Sequence, residues 1–224
     1  MFVNNFDEIR KLLKWEKEGD YYYVQLILRK KDGTTTHGNK NNSARLIRSY
    51  QFFNIDQFNA KEIEIIKECE LHGCRAGINL NKRNEEQVAL ELNTQLAKRL
   101  QSKNYKGING ILNTVNGAKI VDDEDTGEYD YKGSVDKFWL IDCDTVEEYE
   151  AVLEILKDSS IKPEGEKIIT ILPTYTGYHI ITNRFDRMVF NKLLSTKLTK
   201  IPDIHKNNPV SLYYPLKKDV EDGI

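Results

Sequence analysis

The sequence predicts an α+β protein with a mainly antiparallel central sheet and flanking helices. Apolar residues recur with both helical and strand periods along the 224 residues. Strand-like segments joined by turns predict hairpins, which interrupt the steady β-α-β rhythm of a doubly wound sheet. No internal repeat and no Pro/Ser-rich linker divides the chain. We therefore expect a single domain over 1–224, with an αβ half (1–100), a Gly/Asn/Asp-rich loop or excursion (101–133) and a second half (134–224).

The first half alternates between amphipathic helices and strands rich in aromatic and β-branched residues. In order, we expect a helix from Phe6 that stops at Gly19, strands over 21–28 and 45–53 around a polar loop at 34–43, a helix capped by Asp56, a strand over 75–80 and a helix over 84–100. The residues expected to face the core share helical spacing: Ile63, Ile66 and Cys69 in the second helix, and Ala89, Leu92, Leu96 and Leu100 in the third.

The second half begins with a continuous apolar run at 138–141, which predicts a strand buried on both faces. Thr145 is expected to cap the helix that follows this strand. Beyond that helix we expect strands over 167–172 and 178–182 around a turn at 173–177, a helix over 186–198 and a last strand over 210–214.

The net charge, the cysteine count and the lack of long apolar runs exclude several classes of protein. The chain has 33 basic and 35 acidic side chains, so its formal net charge is −2. This near-neutral charge excludes a protein that coats nucleic acid through an overall positive charge, although it is compatible with a local basic groove. An odd count of three cysteines predicts reduced thiols rather than a disulfide framework, and their spacing does not suit a zinc site. With neither a signal peptide nor an apolar run of roughly 20 residues, we expect a cytoplasmic protein with no membrane partner.

Two aspartates, Asp142 and Asp144, come directly after the buried strand in the stretch FWLIDCDT. Residues two apart on a strand point to the same side, so both carboxylates can converge on one point. Two adjacent carboxylates repel each other unless a cation neutralises them, and Mg²⁺ or Mn²⁺ prefers such oxygen ligands. The pattern is short and also occurs by chance or as a turn cap. It predicts a divalent metal site at Asp142 and Asp144.

A second informative stretch, TYTGYHIIT, places His179 on the strand that follows the Gly-containing turn. A single histidine on an apolar strand is usually an ordinary hydrogen-bonded residue. Here the order of elements, from strand and aspartates through helix, strand and turn to His179, favours a functional role. This order of elements can place the imidazole on the sheet face that bears the carboxylates.

Together, FWLIDCD and TYTGYHIIT resemble motifs I and II of the archaeo-eukaryotic primase superfamily, which contains the catalytic cores of primases and primase-polymerases. The resemblance implies an RRM-like primase-polymerase catalytic core. It also implies that Asp142 and Asp144 bind the catalytic Mg²⁺ or Mn²⁺ ions, while His179 contacts nucleotide phosphates together with Thr176 and Gly177 of its hairpin. Gly177 stands where the family often has serine. The chain length fits a small stand-alone core, such as one from a phage or another mobile element.

Motif III of that family is a hydrophobic residue followed by an acid. Asp203 and Asp186 are the candidates, and we prefer Asp203 as the third catalytic acid because Asp186 is well placed to cap a helix. The stretch RLIRSYQF resembles the basic strand in the first half of such cores. Arg45 and Arg48 lie on opposite sides of a regular strand, so at most one reaches the groove unless a bulge intervenes. Arg48 and Lys217 are the predicted basic contacts to the nucleotide.

Three functions remain open at this level. The first is a nucleotidyltransferase of the primase or primase-polymerase type, acting with nucleoside triphosphates on a single-stranded nucleic-acid template and working beside a replication helicase. The second is a non-catalytic nucleic-acid or nucleotide-binding replication accessory with the same fold. The third is a different metal enzyme, such as a glycosyltransferase or a phosphodiesterase. The first requires Asp142, Asp144, a third acid and His179 close together on one solvent-accessible sheet face.

Overall fold

A computed structural model of the chain describes residues 2–29, 44–105, 137–206 and 209–215. The α+β class with antiparallel pairing is confirmed. The polar loop predicted at 34–43 and most of the excursion predicted at 101–133 lie outside the described residues. Within the described ranges the elements are β1 (Val3–Asn4), α1 (Phe6–Arg10), β2 (Asp20–Arg29), β3 (Ala44–Phe52), α2 (Ile55–His72), β4 (Arg75–Asn84), α3 (Glu85–Gln101), β5 (Trp139–Cys143), α4 (Val146–Leu156), β6 (Ile168–Pro173), β7 (Tyr178–Thr182), α5 (Arg187–Leu194), β8 (Asp203–His205) and β9 (Val210–Tyr214).

The described strands form two antiparallel sheets, whereas the sequence pattern predicted one central sheet. The five-stranded sheet has the order β1-β9-β4-β2-β3, and the four-stranded sheet has the order β6-β7-β5-β8. Strand β9 comes from the end of the chain but lies between β1 and β4. The two halves of the sequence therefore share the larger sheet.

The second half follows the chain order β5-α4-β6-β7-α5-β8. In space its first and third strands, β5 and β7, are the central pair, flanked by β6 and β8. This is a β-α-β-β-α-β arrangement. One face of this sheet, carrying Ile141, Cys143 and Ile180, packs on α4 and α5.

The opposite face of the smaller sheet meets the larger sheet. Leu140, Leu172 and Ile181 belong to the same buried cluster as Ile78 and Leu212 of the larger sheet. The alternation of side chains along β5 explains this arrangement, because Leu140 and Ile141 point to opposite faces. Buried on both faces, β5 has the environment that its apolar run predicted.

The helix caps mostly follow the sequence prediction. The Thr145 hydroxyl accepts a hydrogen bond from the Glu148 N–H (3.1 Å), and the Asp186 carboxylate accepts from the N–H groups of Met188 and Val189. The cap of α2 was predicted wrongly. Asn54, not Asp56, caps this helix by accepting from the Gln57 N–H.

The buried faces of α2 and α3 also differ from the prediction. In α2 the buried residues are Phe58, Ile65 and Cys69, while Ile63 is 67% exposed. In α3 the buried residue is Val88, which packs in a small cluster with Tyr21 and Tyr23 of β2. Leu100, by contrast, is 48% exposed. Helical spacing shows which residues share a face, but which face meets the core depends on how the helix is docked. Among the described residues, no helix is long and apolar enough to span a bilayer.

Candidate active site

The cross-strand register of the smaller sheet places Asp142 between His179 and Asp203. Asp142 lies directly opposite His179 on β7 and directly opposite Asp203 on β8. Directly opposed residues project from the same face, with Cβ atoms about 5 Å apart. Asp144 is two residues further along, just past the end of β5. The structure therefore brings Asp142, His179 and Asp203 to one end of the face that meets the larger sheet, and Asp144 follows directly after that end of β5.

The orientation of the His179 imidazole is fixed from two sides. Its Nδ1 accepts a hydrogen bond from the backbone N–H of Ser211 in β9 (3.1 Å), and its Nε2 lies 3.5 Å from Oδ1 of Asp142. Because a backbone N–H can only donate, Nδ1 carries no hydrogen in this arrangement. The neutral ring therefore has its hydrogen on Nε2, directed at the carboxylate end of the site.

The Ser211 N–H is directed at His179 by an irregularity in the larger sheet. The register between β4 and β9 shifts by one residue, since Ala76 pairs with Tyr213 while Gly77 pairs with Ser211. A bulge of this kind locally disrupts the ladder and re-aims backbone groups. The two sheets thus meet through a backbone-to-imidazole hydrogen bond at the site.

The two candidate metal ligands are accessible to solvent. The side chains of Asp142 and Asp144 are 40% and 58% exposed, and the ammonium group of Lys200 lies 3.7 Å from Oδ2 of Asp144. Lys200 is itself 76% exposed, so solvent screens this ion pair and it contributes little to stability. A cation and a phosphate group can reach the carboxylates from solvent.

The backbone at Asp144 is held by a buried acid that sequence reasoning missed. The Glu148 carboxylate accepts a hydrogen bond from the Asp144 N–H (2.7 Å), while the Glu148 N–H donates to Thr145. This is a variant of the reciprocal capping box, whose T-x-x-E spacing is visible in the sequence. Glu148 therefore fixes the turn between β5 and α4 on which Asp144 lies.

Cys143, between the two aspartates, points into the core behind the site. Burial raises the pKa of its thiol to about 12, and the Glu148, Asp142 and Asp144 carboxylates add to the rise. At neutral pH it remains a protonated thiol, which is a poor nucleophile. Nucleophilic chemistry by this cysteine does not fit the site.

Gly177 lies directly against the end of β5. A Cβ atom at this position would lie 2.0 Å from the carbonyl oxygen of Cys143. The turn itself is closed by two hydrogen bonds between Thr174 and Gly177, one from the Thr174 N–H to the Gly177 carbonyl and one from the Gly177 N–H to the Thr174 hydroxyl. Only glycine allows the turn to approach so closely, because any Cβ would clash with the backbone at the end of β5. Thr176, the neighbouring predicted contact, is exposed at the turn.

Arg48 is not brought to this site. It lies on β3, the edge strand of the larger sheet three strands away from β9, and its guanidinium forms ion pairs with Glu64 and Glu68 of α2. A bulge does occur beside it, because the register between β2 and β3 shifts between Arg48 and Leu46. The bulge leaves Arg48 against α2. Lys217, the other predicted basic contact, lies outside the described residues.

The third acid is placed next to Asp142 but not within a metal-binding cluster. Asp203 is exposed on the edge strand β8, and Asp186 is occupied as the cap of α5. Over residues 2–29, 44–105, 137–206 and 209–215, no group of three or more His, Cys, Asp or Glu side chains could hold a metal ion. The site therefore offers a carboxylate pair, with Asp203 and His179 beside it.

Aromatic side chains line the side of the site near the turn. The ring of Tyr175 packs on Tyr214 with 4.7 Å between centroids, and the Arg75 guanidinium lies 4.8 Å from the centre of the Tyr214 ring. On the opposite, helix-packed face of the smaller sheet, Tyr149 stacks on Tyr178 with 4.4 Å between the ring centroids. Both pairs stabilise the hairpin beside the carboxylates, while only Tyr175 and Tyr214 lie on the side of the sheet that carries them.

Comparisons of the chain with protein-family models, with curated proteins and with solved structures found no match.

Proposed function

We propose that the protein is a metal-dependent nucleotidyltransferase of the primase or primase-polymerase type, acting with NTPs or dNTPs on a nucleic-acid template. One observation carries the proposal: the register that sets Asp142 between His179 and Asp203, with Asp144 two residues after Asp142 and just past the end of β5. The β-α-β-β-α-β order of the second half, with β5 and β7 central, supports an RRM-like catalytic core. The two motifs on which the family resemblance rests lie on these central strands.

The carboxylate pair fits Mg²⁺ or Mn²⁺. Mg²⁺ is commonly bound in proteins by one or two carboxylates, and waters and substrate phosphates complete its shell. Asp142 and Asp144 supply such a pair, and both are open to solvent. When bound, such an ion neutralises triphosphate charge and favours ionisation of the attacking hydroxyl.

His179 is suited to contact the triphosphate rather than the metal. Its Nε2 carries the hydrogen while Nδ1 is occupied by Ser211, so the ring presents a donor next to the carboxylates. A donor in this position binds a phosphate oxygen and stabilises charge that develops on the departing pyrophosphate. Asp203, opposite Asp142 on β8, is the third acid of the proposal and adds negative potential that favours cation binding.

The test is nucleotide incorporation on a single-stranded template, with and without a primer, in Mg²⁺ or Mn²⁺. We expect synthesis by the unaltered protein and its loss in Asp142→Ala and Asp144→Ala, because each removes a metal ligand. Mn²⁺ binding followed by electron paramagnetic resonance should weaken in the same two variants. Asp56→Ala serves as the matched control, since Asp56 is an exposed aspartate in the first turn of α2, away from the site. Full activity in Asp142→Ala would contradict the proposal.

A second candidate is a non-catalytic nucleic-acid or nucleotide-binding replication accessory with the same fold. The observation that favours it is that the part of the chain described by the structure contains no three-ligand metal cluster. It predicts that the unaltered protein binds single-stranded nucleic acid or nucleotide without incorporating nucleotides, and that Asp142→Ala leaves this binding intact.

A further inference from the structure

Asn5 is a buried polar residue that connects the start of the chain to both sides of the candidate site. It is 2% exposed, and its Nδ2 group donates to the carbonyl of Pro173 (3.0 Å) and to the carbonyl of Ser211 (2.8 Å). Its backbone N–H also donates to the carbonyl of Leu212. One side-chain amide therefore joins the end of β6 to β9, across the junction of the two sheets.

This amide is used in an unusual way. Asn5 occupies the position before the first residue of α1, where asparagine normally accepts a hydrogen bond from the helix backbone. Here the Asn5 side chain makes no cap hydrogen bond with α1. The amide instead binds two carbonyl groups more than 160 residues away. Its role is therefore in the tertiary structure at the junction rather than in the local helix.

Both carbonyls that Asn5 binds adjoin His179. Pro173 pairs with Tyr178, and the preceding Leu172 pairs with His179 itself. Ser211 supplies the N–H that binds Nδ1 of the imidazole. Holding these two strands together fixes the separation between the His179 ring and the Ser211 N–H.

We propose that Asn5 is a positioning residue for His179, which it serves by keeping β9 close enough for the Ser211 N–H to bind Nδ1. This contact places the ring hydrogen on Nε2, facing Asp142. The effect on the imidazole is independent of the reaction, whereas any effect on nucleotide transfer rests on the proposed function.

The chain contains a matched control at the other end of the same junction. The Nδ2 group of Asn81 donates to the carbonyls of Phe138 (3.0 Å) and Lys206 (2.7 Å), and its Oδ1 accepts from the Phe138 N–H. Asn81 therefore also joins the two sheets through backbone groups. It does so beside the start of β5 and the end of β8, away from His179.

The experiment records the ring nitrogen resonances of His179 in ¹⁵N-histidine-labelled protein at about pH 8, above the usual range of imidazole protonation. His179→Gln identifies the resonances. We expect the Nε2–H form to dominate in the unaltered protein and in Asn81→Ala. In Asn5→Ala, and in the isosteric Asn5→Asp, which lacks the donors, we expect a mixture with the Nδ1–H form.

Two results would overturn the proposal: an Nδ1–H ring in the unaltered protein, or an unchanged Nε2–H ring in a folded Asn5 variant. The first needs no variant, so the proposal stays testable if the substitutions prevent folding, which circular dichroism would show. If the unaltered protein incorporates nucleotides, Asn5→Ala should lower kcat by about 10- to 100-fold, as expected for a misplaced catalytic group, and Asn81→Ala should not. If the tautomers behave as expected but no synthesis occurs, Asn5 retains its positioning role and the proposed function fails.

Discussion

Replacing Gly177 with alanine tests how closely the β6–β7 turn must approach the end of β5. The added Cβ would lie 2.0 Å from the carbonyl oxygen of Cys143 and 3.1 Å from the carbonyl carbon of Asp144. Both neighbours are backbone atoms, so no side-chain rotation relieves the contact. The turn has to move by about 1 Å or more to restore ordinary packing.

We expect this displacement to reduce the free energy of unfolding by about 3 kcal/mol, at the upper end of the usual cost of overpacking. For a chain of this size that corresponds to a fall in Tm of roughly 6–12 °C. Urea denaturation and thermal melting measure both quantities. Thr176→Ala is the control, because Thr176 is exposed in the same turn and its substitution leaves the contact with β5 unchanged.

The same shift separates His179 from Asp142, since the turn leads directly into β7. If the protein incorporates nucleotides, a misplacement of about 1 Å should reduce turnover by about 100-fold. A Gly177→Ala protein whose unfolding free energy lies within about 0.5 kcal/mol of the unaltered value, the range of a neutral surface substitution, would show that the turn tolerates a side chain here.

Two further substitutions test the local structure around the sheets. Thr145→Ala removes the acceptor for the Glu148 N–H and should lower the unfolding free energy by about 1 kcal/mol. Thr145→Ser keeps the hydroxyl acceptor and should keep the stability of the unaltered protein. Equal stabilities of the alanine and serine variants in urea denaturation would contradict the cap. Asp20 is buried, and burial alone would raise the pKa of its carboxyl group. The net pKa is nevertheless lowered, because the carboxylate accepts hydrogen bonds from Asn84, the Lys17 and Glu16 N–H groups and Lys82. Because the pKa is lower in the folded state, the stabilisation is present above the ordinary aspartate pKa of about 4 and is lost as the pH falls through the folded-state pKa. Asp20→Asn should therefore be less stable at neutral pH and should lose less stability on acidification, and parallel stability curves from pH 2 to 7 for the two proteins would be inconsistent with this assignment.

Much of the fold could be predicted because it depends on local signals. Alternation and apolar runs located β2, β5 and β7, and polar residues before apolar periods located the caps at Thr145 and Asp186. The strand β8 was missed because its three residues, Asp203–His205, show no apolar alternation of their own. The division into two sheets was missed for a different reason: β9 pairs with β1 and β4, and nothing local in VSLYY specifies those partners.

In the candidate site, too, features set by neighbouring residues could be predicted, whereas features set by the tertiary fold could not. The two-residue period of a strand predicts a common side for Asp142 and Asp144, but β5 ends at Cys143, so that period does not extend to Asp144. The register that aligns Asp142 with His179 and Asp203 depends on pairings across 37 and 61 residues of sequence, which spacing alone does not determine. The same holds for the Ser211 N–H and for the Asn5 amide, whose partners are brought close only by the tertiary fold. Glu148 could have been found from its T-x-x-E spacing.

The position of β9 has a consequence for how the chain acquires its structure. Strand β1 begins at Val3, yet its pairing partner β9 ends at Tyr214, so the larger sheet cannot close until synthesis has reached residue 214. At typical translation rates of about 5–20 residues per second, the synthesis of β9 follows that of β1 by roughly 10–40 s. Until then β4 has an open edge where β9 will bind, and His179 lacks the N–H that orients its ring. The geometry of the site is therefore among the last features of the protein to form.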